Sequence, residues 1–182
     1  MKKIHKDEKM KNIILVLILA LMSFGCATNY TNRNLIGEMF PNLSGESLEK
    51  TEVEMPEYFK GSQVLLLLGY KQDSQFDIDR RLIGLDMTKT DIKAYELPTI
   101  QGMLPRMFST FIDEGMRSGI PKELWGGVIT VYADGAELQE FTGNENPNNA
   151  RVLLLDKNGK VIYFYDRGFS VFAMNELKEM ID

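Results

Sequence analysis

An unbroken apolar run in the first half of the chain limits the folds that it can adopt. Residues 64–70 read Val-Leu-Leu-Leu-Leu-Gly-Tyr, and such a run is typical of a strand that is buried on both faces. Because both faces of such a strand must be covered, the run predicts a central sheet with helices packed against it.

Helices and further strands are predicted to alternate around this run. A short strand is expected at residues 52–54, a helix at residues 75–85 and a second main strand at residues 91–97. Residues 127–132 are predicted as a third main strand, and residues 137–141 as a strand that returns after an Asp-Gly turn signal. Buried strands that alternate with helices indicate an α/β fold.

The clearest helical pattern lies in residues 104–117. Its apolar residues recur at i, i+3, i+4, i+7 and i+8, which places them in one stripe; they are Leu104, Met107, Phe108, Phe111 and Ile112. Pro105 suits the first turn of such a helix. We expect the stripe, together with Met103, to pack in the hydrophobic core.

The end of the chain predicts a β-hairpin followed by a helix. Residues 151–155 and 160–165 are rich in aliphatic and aromatic residues, and the link between them contains Asn158-Gly159, a strong hairpin signal. A final helix is predicted at residues 171–181. The complete order is β-α-β-α-β, then a hairpin, then a helix.

This order resembles the thioredoxin fold. Residues 36–41 (Ile-Gly-Glu-Met-Phe-Pro) and 59–66 (Phe-Lys-Gly-Ser-Gln-Val-Leu-Leu) resemble the N-terminal part of peroxiredoxin and TlpA-type domains, and residues 153–161 resemble their closing hairpin. The resemblance implies one thioredoxin-like domain over residues 35–182, with a central sheet flanked by helices, a closing β-hairpin and a C-terminal helix.

The two marks of thiol chemistry in that superfamily are absent from the matching positions. Its reactive cysteine lies just after the first central strand, where residues 70–77 read Tyr-Lys-Gln-Asp-Ser-Gln-Phe-Asp. Its cis-proline precedes the closing hairpin, a place that falls at Ala150 or Arg151, whereas Pro147 lies earlier. The resemblance therefore implies a thioredoxin-like domain that does no thiol chemistry.

A second resemblance covers residues 64–180 loosely. Residues 115–124, which include Ile-Pro-Lys-Glu-Leu, and residues 151–169 are similar to the tenth assembly factor of mitochondrial ATP synthase. That family is thioredoxin-like and acts as a chaperone for a membrane subunit. The client is not carried over to this chain, because fold-level analogy is a weak guide to function.

The N-terminus predicts export and lipid attachment. Five lysines precede an apolar run at residues 13–22, which is shorter than the roughly 20 residues of a membrane span. Cys26 follows Gly25 directly, which resembles the lipobox of bacterial lipoproteins, although Phe24 is bulkier than the usual residue there. The alternative is a single-pass anchor that contains a buried cysteine.

The lipobox resemblance implies a signal peptide over residues 1–25, a lipid on Cys26 and a polar tether over residues 26–34. It implies a protein that is secreted across the cytoplasmic membrane and held by its lipid on the periplasmic or extracellular face. The membrane is therefore an expected partner through the anchor.

The residues after this leader exclude several classes of function. His5 is the only histidine and Cys26 the only cysteine of the chain. Nucleophilic catalysis by Ser-His-Asp or Cys-His groups, zinc sites built on His or Cys, and dithiol redox cycles are therefore excluded. Residues 26–182 carry 16 basic and 24 acidic side chains, a net charge of −8, which repels nucleic acid.

No metal and no cofactor are expected. Three aspartates, Asp77, Asp79 and Asp86, are predicted as charges of a helix, because residues at i and i+2 of a helix point apart. The twelve-residue calcium-loop pattern is also missing from this segment.

The best candidate for a binding surface combines two polar segments. The turn after the central strand occupies the place where thioredoxin-like proteins keep their active site, and the loop at residues 143–149 is expected to face it. Arg151 is expected to place a cation between them. The candidate residues are Tyr70, Lys71, Gln72, Asp73, Ser74, Gln75, Asn148, Asn149 and Arg151. The alternative is a solvated loop in which Asp73 or Ser74 caps the helix.

Together these patterns predict a membrane-anchored, non-redox module that binds or helps to assemble another protein of the cell envelope. No catalytic residue is assigned. Two alternatives stay open: a protein that binds a small ligand, and a divergent peroxiredoxin-like enzyme without thiol chemistry.

Overall fold

A computed structural model describes residues 28–181, so the predicted signal peptide and Cys26 lie outside the described residues. Seven strands and five α-helices follow each other in these residues. The strands are β1 (Leu43–Ser47), β2 (Glu52–Met55), β3 (Val64–Gly69), β4 (Lys93–Pro98), β5 (Ile129–Thr130), β6 (Arg151–Leu155) and β7 (Val161–Tyr165). The helices are α1 (Gln75–Met87), α2 (Met103–Met107), α3 (Ser109–Gly119), α4 (Gly135–Thr142) and α5 (Val171–Glu179).

Four strands form the main sheet in the order β4-β3-β6-β7. Strand β3 runs parallel to β4, with Gly69 opposite Pro98, and antiparallel to β6, with Leu68 opposite Arg151. Strands β6 and β7 are antiparallel neighbours and form the predicted closing hairpin. The predicted central sheet is therefore confirmed, with the apolar run at residues 64–69 in an interior position.

A second sheet has the order β2-β1-β5 and is antiparallel throughout. Two isolated parallel bridges, from Glu96 to Val128 and from Thr99 to Val131, connect the region of β5 to β4. The two sheets are thus neighbours along the edge of β4.

Side chains of β3 enter two separate cores, one on each face of the main sheet. Leu66 and Leu68 join a cluster that includes Leu43 of β1 and Leu138 of α4. Leu65 and Leu67 join a second cluster, to which α1 contributes Ile78 and Leu85 and α5 contributes Met174 and Leu177. This two-sided burial confirms the α/β architecture that the apolar run predicts.

The prediction of a returning strand at residues 137–141 is wrong, because these residues lie in helix α4. Leu138 is fully buried and Phe141 packs against the same core. Their spacing of three residues suits a helix face better than a strand face. The Asp134-Gly135 pair marks the start of this helix and not a β-turn.

The helix predicted at residues 104–117 is divided into α2 and α3, and Phe108 lies between them. The expectation of core packing is also wrong for three residues of its stripe. Met107 is 71%, Phe108 59% and Phe111 80% exposed. The periodicity identified an apolar stripe correctly, but a stripe does not specify what covers it.

Candidate functional site

A cavity of about 730 Å³ opens at the carboxyl ends of β3 and β4. Tyr70 and Lys71, which follow β3, line it together with Ile100 and Gln101, which follow β4. Ligands of α/β sheets bind outside the carboxyl ends of the strands. This edge is therefore the natural place for a binding site in the chain.

The loop at residues 143–149 forms another part of the cavity wall. Asn144, Glu145 and Pro147 line the cavity, so the structure brings this loop together with Tyr70 and Lys71. The remaining lining residues are Thr28, Asn29, Gly102, Pro105 and Gln139. The use of this surface for binding stays a prediction.

The rest of the turn after β3 points elsewhere. Gln72 and Asp73 are exposed in a short 3₁₀ turn and do not line the cavity. The amide of Gln75 donates hydrogen bonds to Asp79 and Glu96, both at 2.9 Å. Burial raises the pKa of Glu96, the Gln75 hydrogen bond lowers it, and Asp79 raises it further.

Ser74 has a structural role. It is buried, and its hydroxyl donates to the carbonyl of Lys71 at 2.6 Å, so it closes the turn and does not cap α1. A side chain at Gly69 would meet the Ser74 Oγ at 2.7 Å, which explains why a glycine ends β3. Asn148, in the facing loop, is exposed and does not line the cavity.

Arg151 lies between the turn and the loop, as predicted, but it is fully buried. Its guanidinium donates to the carbonyls of Gly143 (3.1 Å), Asn146 (2.6 Å) and Asn149 (2.8 Å). Its Cζ lies 4.8 Å from the ring centroid of Tyr70. The expectation that Arg151 offers its charge to a ligand is therefore corrected, because its guanidinium stabilises the loop through these hydrogen bonds.

Tyr70 is held in place from both ends. Its ring covers Arg151, and its hydroxyl forms a short hydrogen bond with the hydroxyl of Thr142. Burial raises the pKa of Tyr70, an effect that the Thr142 hydrogen bond and the charge of Arg151 oppose. The phenol therefore stays protonated at neutral pH, which suits it as part of a cavity wall and not as a nucleophile.

A buried ion pair that the sequence analysis missed supports the neighbouring helix. Asp77 Oδ1 lies 3.4 Å from the guanidinium of Arg81, and Asp77 Oδ2 accepts a hydrogen bond from the amide of Ala150 at 2.9 Å. Asp77 lies in helix α1, in line with its interpretation as a helical charge, but it is buried, at 6% exposed. The i, i+4 spacing of an acid and an arginine was the available signal.

Residues 28–33 pack against the loop and do not form a free tether. The backbone of Tyr30 pairs with Asn144 in both directions, at 2.7 and 2.9 Å. Asn144 also donates to the carbonyl of Thr28 at 2.9 Å, and Asn32 accepts from the amide of Glu145 at 3.0 Å. The predicted tether is thus corrected for this part, which belongs to the folded domain.

The fit between this segment and the loop is close. A side chain at Gly143, which has a φ of +77°, would come within 2.4 Å of the backbone of Asn32. Arg33 donates to the carbonyl of Phe141 at 3.1 Å and pairs with Glu38 at 2.8 Å. The N-terminal segment, the end of α4 and the loop therefore form one continuous wall.

The described residues hold no cluster of three or more His, Cys, Asp or Glu side chains that could bind a metal ion.

A second cavity, of about 470 Å³, is lined by Glu46, Glu52 and Glu54, with Arg106 beside them. No helix within residues 28–181 is both long and apolar enough to cross a membrane.

No protein-family model matches the sequence, and no curated protein matches it either. Solved structures do match. The thiol peroxidase of Chromobacterium violaceum has a TM-score of 0.56 and 14% identity over 84% of this chain and 90% of its own. The thioredoxin domain of a thiol-disulfide oxidoreductase from Bacteroides vulgatus has a TM-score of 0.54 and 15% identity over 82% of this chain and 100% of its own. The fold is thioredoxin-like.

A third similar structure is the exposed lipoprotein thioredoxin of Streptococcus pneumoniae. It has a TM-score of 0.52 and 10% identity over 78% of this chain and 100% of its own. At these identities the similarities show the fold alone. In this chain the turn at residues 70–77 has no cysteine, and the cis peptide bond of the described residues precedes Pro56, not Arg151.

Proposed function

We propose that this chain is a lipid-anchored, thioredoxin-like module of the cell envelope. It binds another protein through the cavity at the ends of β3 and β4 and does no redox chemistry. The observation that carries the proposal is that a cavity of about 730 Å³ lies at this edge of the sheet, while the chain has no cysteine after Cys26.

The lining of the cavity suits recognition better than catalysis. Lys71, Gln101 and Glu145 supply polar groups, and Ile100 and Pro105 supply apolar surface. The phenol of Tyr70 is hydrogen-bonded to Thr142, and the guanidinium of Arg151 is hydrogen-bonded to carbonyls of the loop. The lining therefore offers no activated nucleophile among the described residues, whereas mixed apolar and hydrogen-bonding surface is typical of binding sites.

The lipid anchor rests on the position of Cys26 in the sequence. The similarity to a lipoprotein thioredoxin of Streptococcus pneumoniae supports it, because a domain of this shape occurs in a lipoprotein. A role in assembly rests on the resemblance of residues 115–124 to an assembly factor of ATP synthase. In this proposal the client is a protein at the outer face of the cytoplasmic membrane or beyond it.

A small ligand is the second candidate for the cavity. Its volume lies within the range of small-molecule sites, about 300–1,000 Å³. A ligand that binds only the folded state raises the melting temperature. A thermal-shift screen of the full-length protein therefore tests this candidate independently of any protein partner.

Photo-crosslinking in intact cells tests the proposed protein partner. We would place p-benzoylphenylalanine at Lys71 or at Glu145, two positions in the cavity wall. The matched control is Lys93, another exposed lysine, which lies at the opposite end of the parallel strand pair. We expect the same protein adduct from positions 71 and 145 and none from position 93.

The outcomes separate the two candidates. Adducts that form equally well from position 93, or no adduct from positions 71 and 145, would contradict the proposed protein-binding function. A thermal shift with a small molecule, combined with no protein adduct, would favour the second candidate. Mass spectrometry of the N-terminal peptide tests the anchor, and an unmodified Cys26 would exclude it.

A further inference from the structure

Three large apolar side chains are exposed next to the cavity. Met107, Phe108 and Phe111 are 71%, 59% and 80% exposed, and they follow Pro105, which lines the cavity. Residues separated by three or four positions on a helical segment are neighbours on its surface. Met107, Phe108 and Phe111 are called the rim patch below.

Polar contacts hold α3, the helix that begins directly after Phe108 and contributes Phe111 to this patch. Asp113, the buried residue of α3, accepts a hydrogen bond from the hydroxyl of Tyr132 at 2.8 Å. Arg117 donates to the carbonyl of Leu48 at 2.7 Å. Helix α3 is thus fixed by polar contacts, while its Phe111 faces outward.

The acids of the segment that bears the rim patch are few and engaged. Residues 103–119 contain two acids, and both are engaged: Asp113 with Tyr132, and Glu114 with Arg117 at 2.8 Å. Arg106 is exposed beside the patch. The segment itself therefore presents an apolar surface without an unpaired carboxylate, and the acids of the second cavity, Glu46, Glu52 and Glu54, lie on the side of Arg106.

The segment that follows Cys26, the proposed site of lipid attachment, lies at the same cavity. Thr28 and Asn29 line it, and hydrogen bonds to Asn144 hold this segment against the loop. Cys26 precedes Thr28 by two residues, which span at most about 7 Å of extended chain. A lipid on Cys26 is therefore attached close to the cavity, whose other wall continues into the rim patch.

We propose that the rim patch rests on the lipid bilayer, with its Met and Phe side chains in the headgroup region and the cavity edge facing the membrane. The proposal rests on the lipid anchor of the proposed function. Apolar residues on a surface helix add a second attachment to that of the acyl chains. A partner that reaches the cavity then lies at the membrane surface.

Fluorescence quenching by brominated lipids tests this orientation. Trp125 is the only tryptophan of the chain, so Trp125→Phe provides a background for single-tryptophan variants of the full-length lipidated protein. The test variant is Phe111→Trp, and the matched control is Phe172→Trp, because Phe172 is 72% exposed on α5, which packs against the other core. Circular dichroism verifies that both variants are folded.

We expect quenching in vesicles of brominated phosphatidylcholine to be roughly twofold or more stronger at position 111 than at position 172, because the rim patch lies in the interface. Equal quenching at the two positions overturns the proposal. The proposal is also overturned if the tryptophan at position 111 is not quenched and position 107 crosslinks to a protein, because the patch is then a protein interface.

Two further measurements distinguish this proposal from the proposed function. Mass spectrometry of the same samples reports whether Cys26 is acylated. Acylation without preferential quenching at position 111 rejects the orientation and leaves the anchor intact, whereas no acylation rejects both. In addition, Asn144→Ala removes two hydrogen bonds that hold residues 28–30 against the loop. If this segment helps to orient the rim patch, we expect the difference between positions 111 and 172 to shrink; an unchanged difference rejects that role.

Discussion

Arg81 and Arg151 are both completely buried, but their charges are accommodated in different ways. Arg81 has a carboxylate partner one helical turn away, Asp77, and its guanidinium lies over the rings of Tyr165 and Phe169 at 5.4 and 5.7 Å. Arg151 has no carboxylate within ion-pair distance among the described residues. Main-chain carbonyls and the ring of Tyr70 surround it instead.

The charge of Arg81 is therefore balanced by a carboxylate, whereas the charge of Arg151 depends on main-chain carbonyls that one loop supplies. The Arg81 site is built mainly by α1 and the segment after β7. The Arg151 site joins β6, the loop at residues 143–149 and the end of β3, and this loop in turn holds residues 28–33. The cavity wall is thus supported by a buried cation in addition to the apolar core against which Tyr70 and Phe141 pack.

The largest effect is expected from Asp77→Ala. This change removes the carboxylate from a buried arginine and also the acceptor for the Ala150 amide. Breaking a buried pair in this way costs about 3–5 kcal/mol of the free energy of unfolding. Urea denaturation measures it, and Asp86→Ala, an exposed acid of the same helix, serves as the control with a change below about 0.5 kcal/mol. A loss similar to that of the control would mean that the pair is not important for stability.

Arg151→Met is expected to cost less, about 2–3 kcal/mol. Methionine keeps much of the apolar stem and leaves no carboxylate without its partner, but three carbonyls lose their donor. We expect amide hydrogen exchange to accelerate in residues 144–149 more than in β7. Uniform acceleration throughout the domain would show that the two arginines stabilise the fold in the same way.

Substitutions of Tyr70 separate its ring from its hydroxyl. Tyr70→Phe keeps the ring over Arg151 and loses the hydrogen bond to Thr142, so we expect a loss of about 1 kcal/mol. Tyr70→Leu also removes the cation–π contact, and we expect roughly 1 kcal/mol more. Thermal unfolding of both variants measures the difference. Equal stabilities of Tyr70→Phe and Tyr70→Leu would show that the ring does not stabilise Arg151.

The smallest global effect is expected from Asn144→Ala, because two of its three side-chain partners lie at residues 28–30, which open locally at a cost below that of global unfolding, and only Gln139 lies elsewhere. Hydrogen exchange at the Tyr30 amide and protease cleavage near residue 30 should increase strongly, while the urea midpoint changes little. Asn148→Ala, an exposed asparagine of the same loop, is the control. A protected Tyr30 amide in Asn144→Ala would place the support of this segment elsewhere.

The parts of the fold that could be predicted are those in which neighbouring residues carry the signal. The apolar run of β3 and the Asn158-Gly159 link of the hairpin are local patterns, and both lead to the correct elements. Strand β1 was missed because its sequence, Leu-Ser-Gly-Glu-Ser, is weakly apolar. It is a strand because β2 and β5 pair with it on either side.

The candidate site shows the same limit. Its predicted location followed from the resemblance to thioredoxin-like proteins, which keep their active site in the turn after the first central strand. The contacts between Tyr30 and Asn144 join residues 114 positions apart, and no pattern in either segment indicates the other. The burial of Arg151 was also hidden, since its partners are main-chain carbonyls, which every residue provides.

The attachment of residues 28–33 to the loop has a practical consequence for producing this domain in recombinant form. A version that starts at residue 35, where the first strongly apolar residue of the domain stands, would lack one wall of the cavity and leave the amide of Asn144 without two of its partners. An N-terminal affinity tag fused close to residue 28 would crowd the same wall. A boundary at residue 26 or 27 with a C-terminal tag keeps the cavity complete, and ligand screens should use that version.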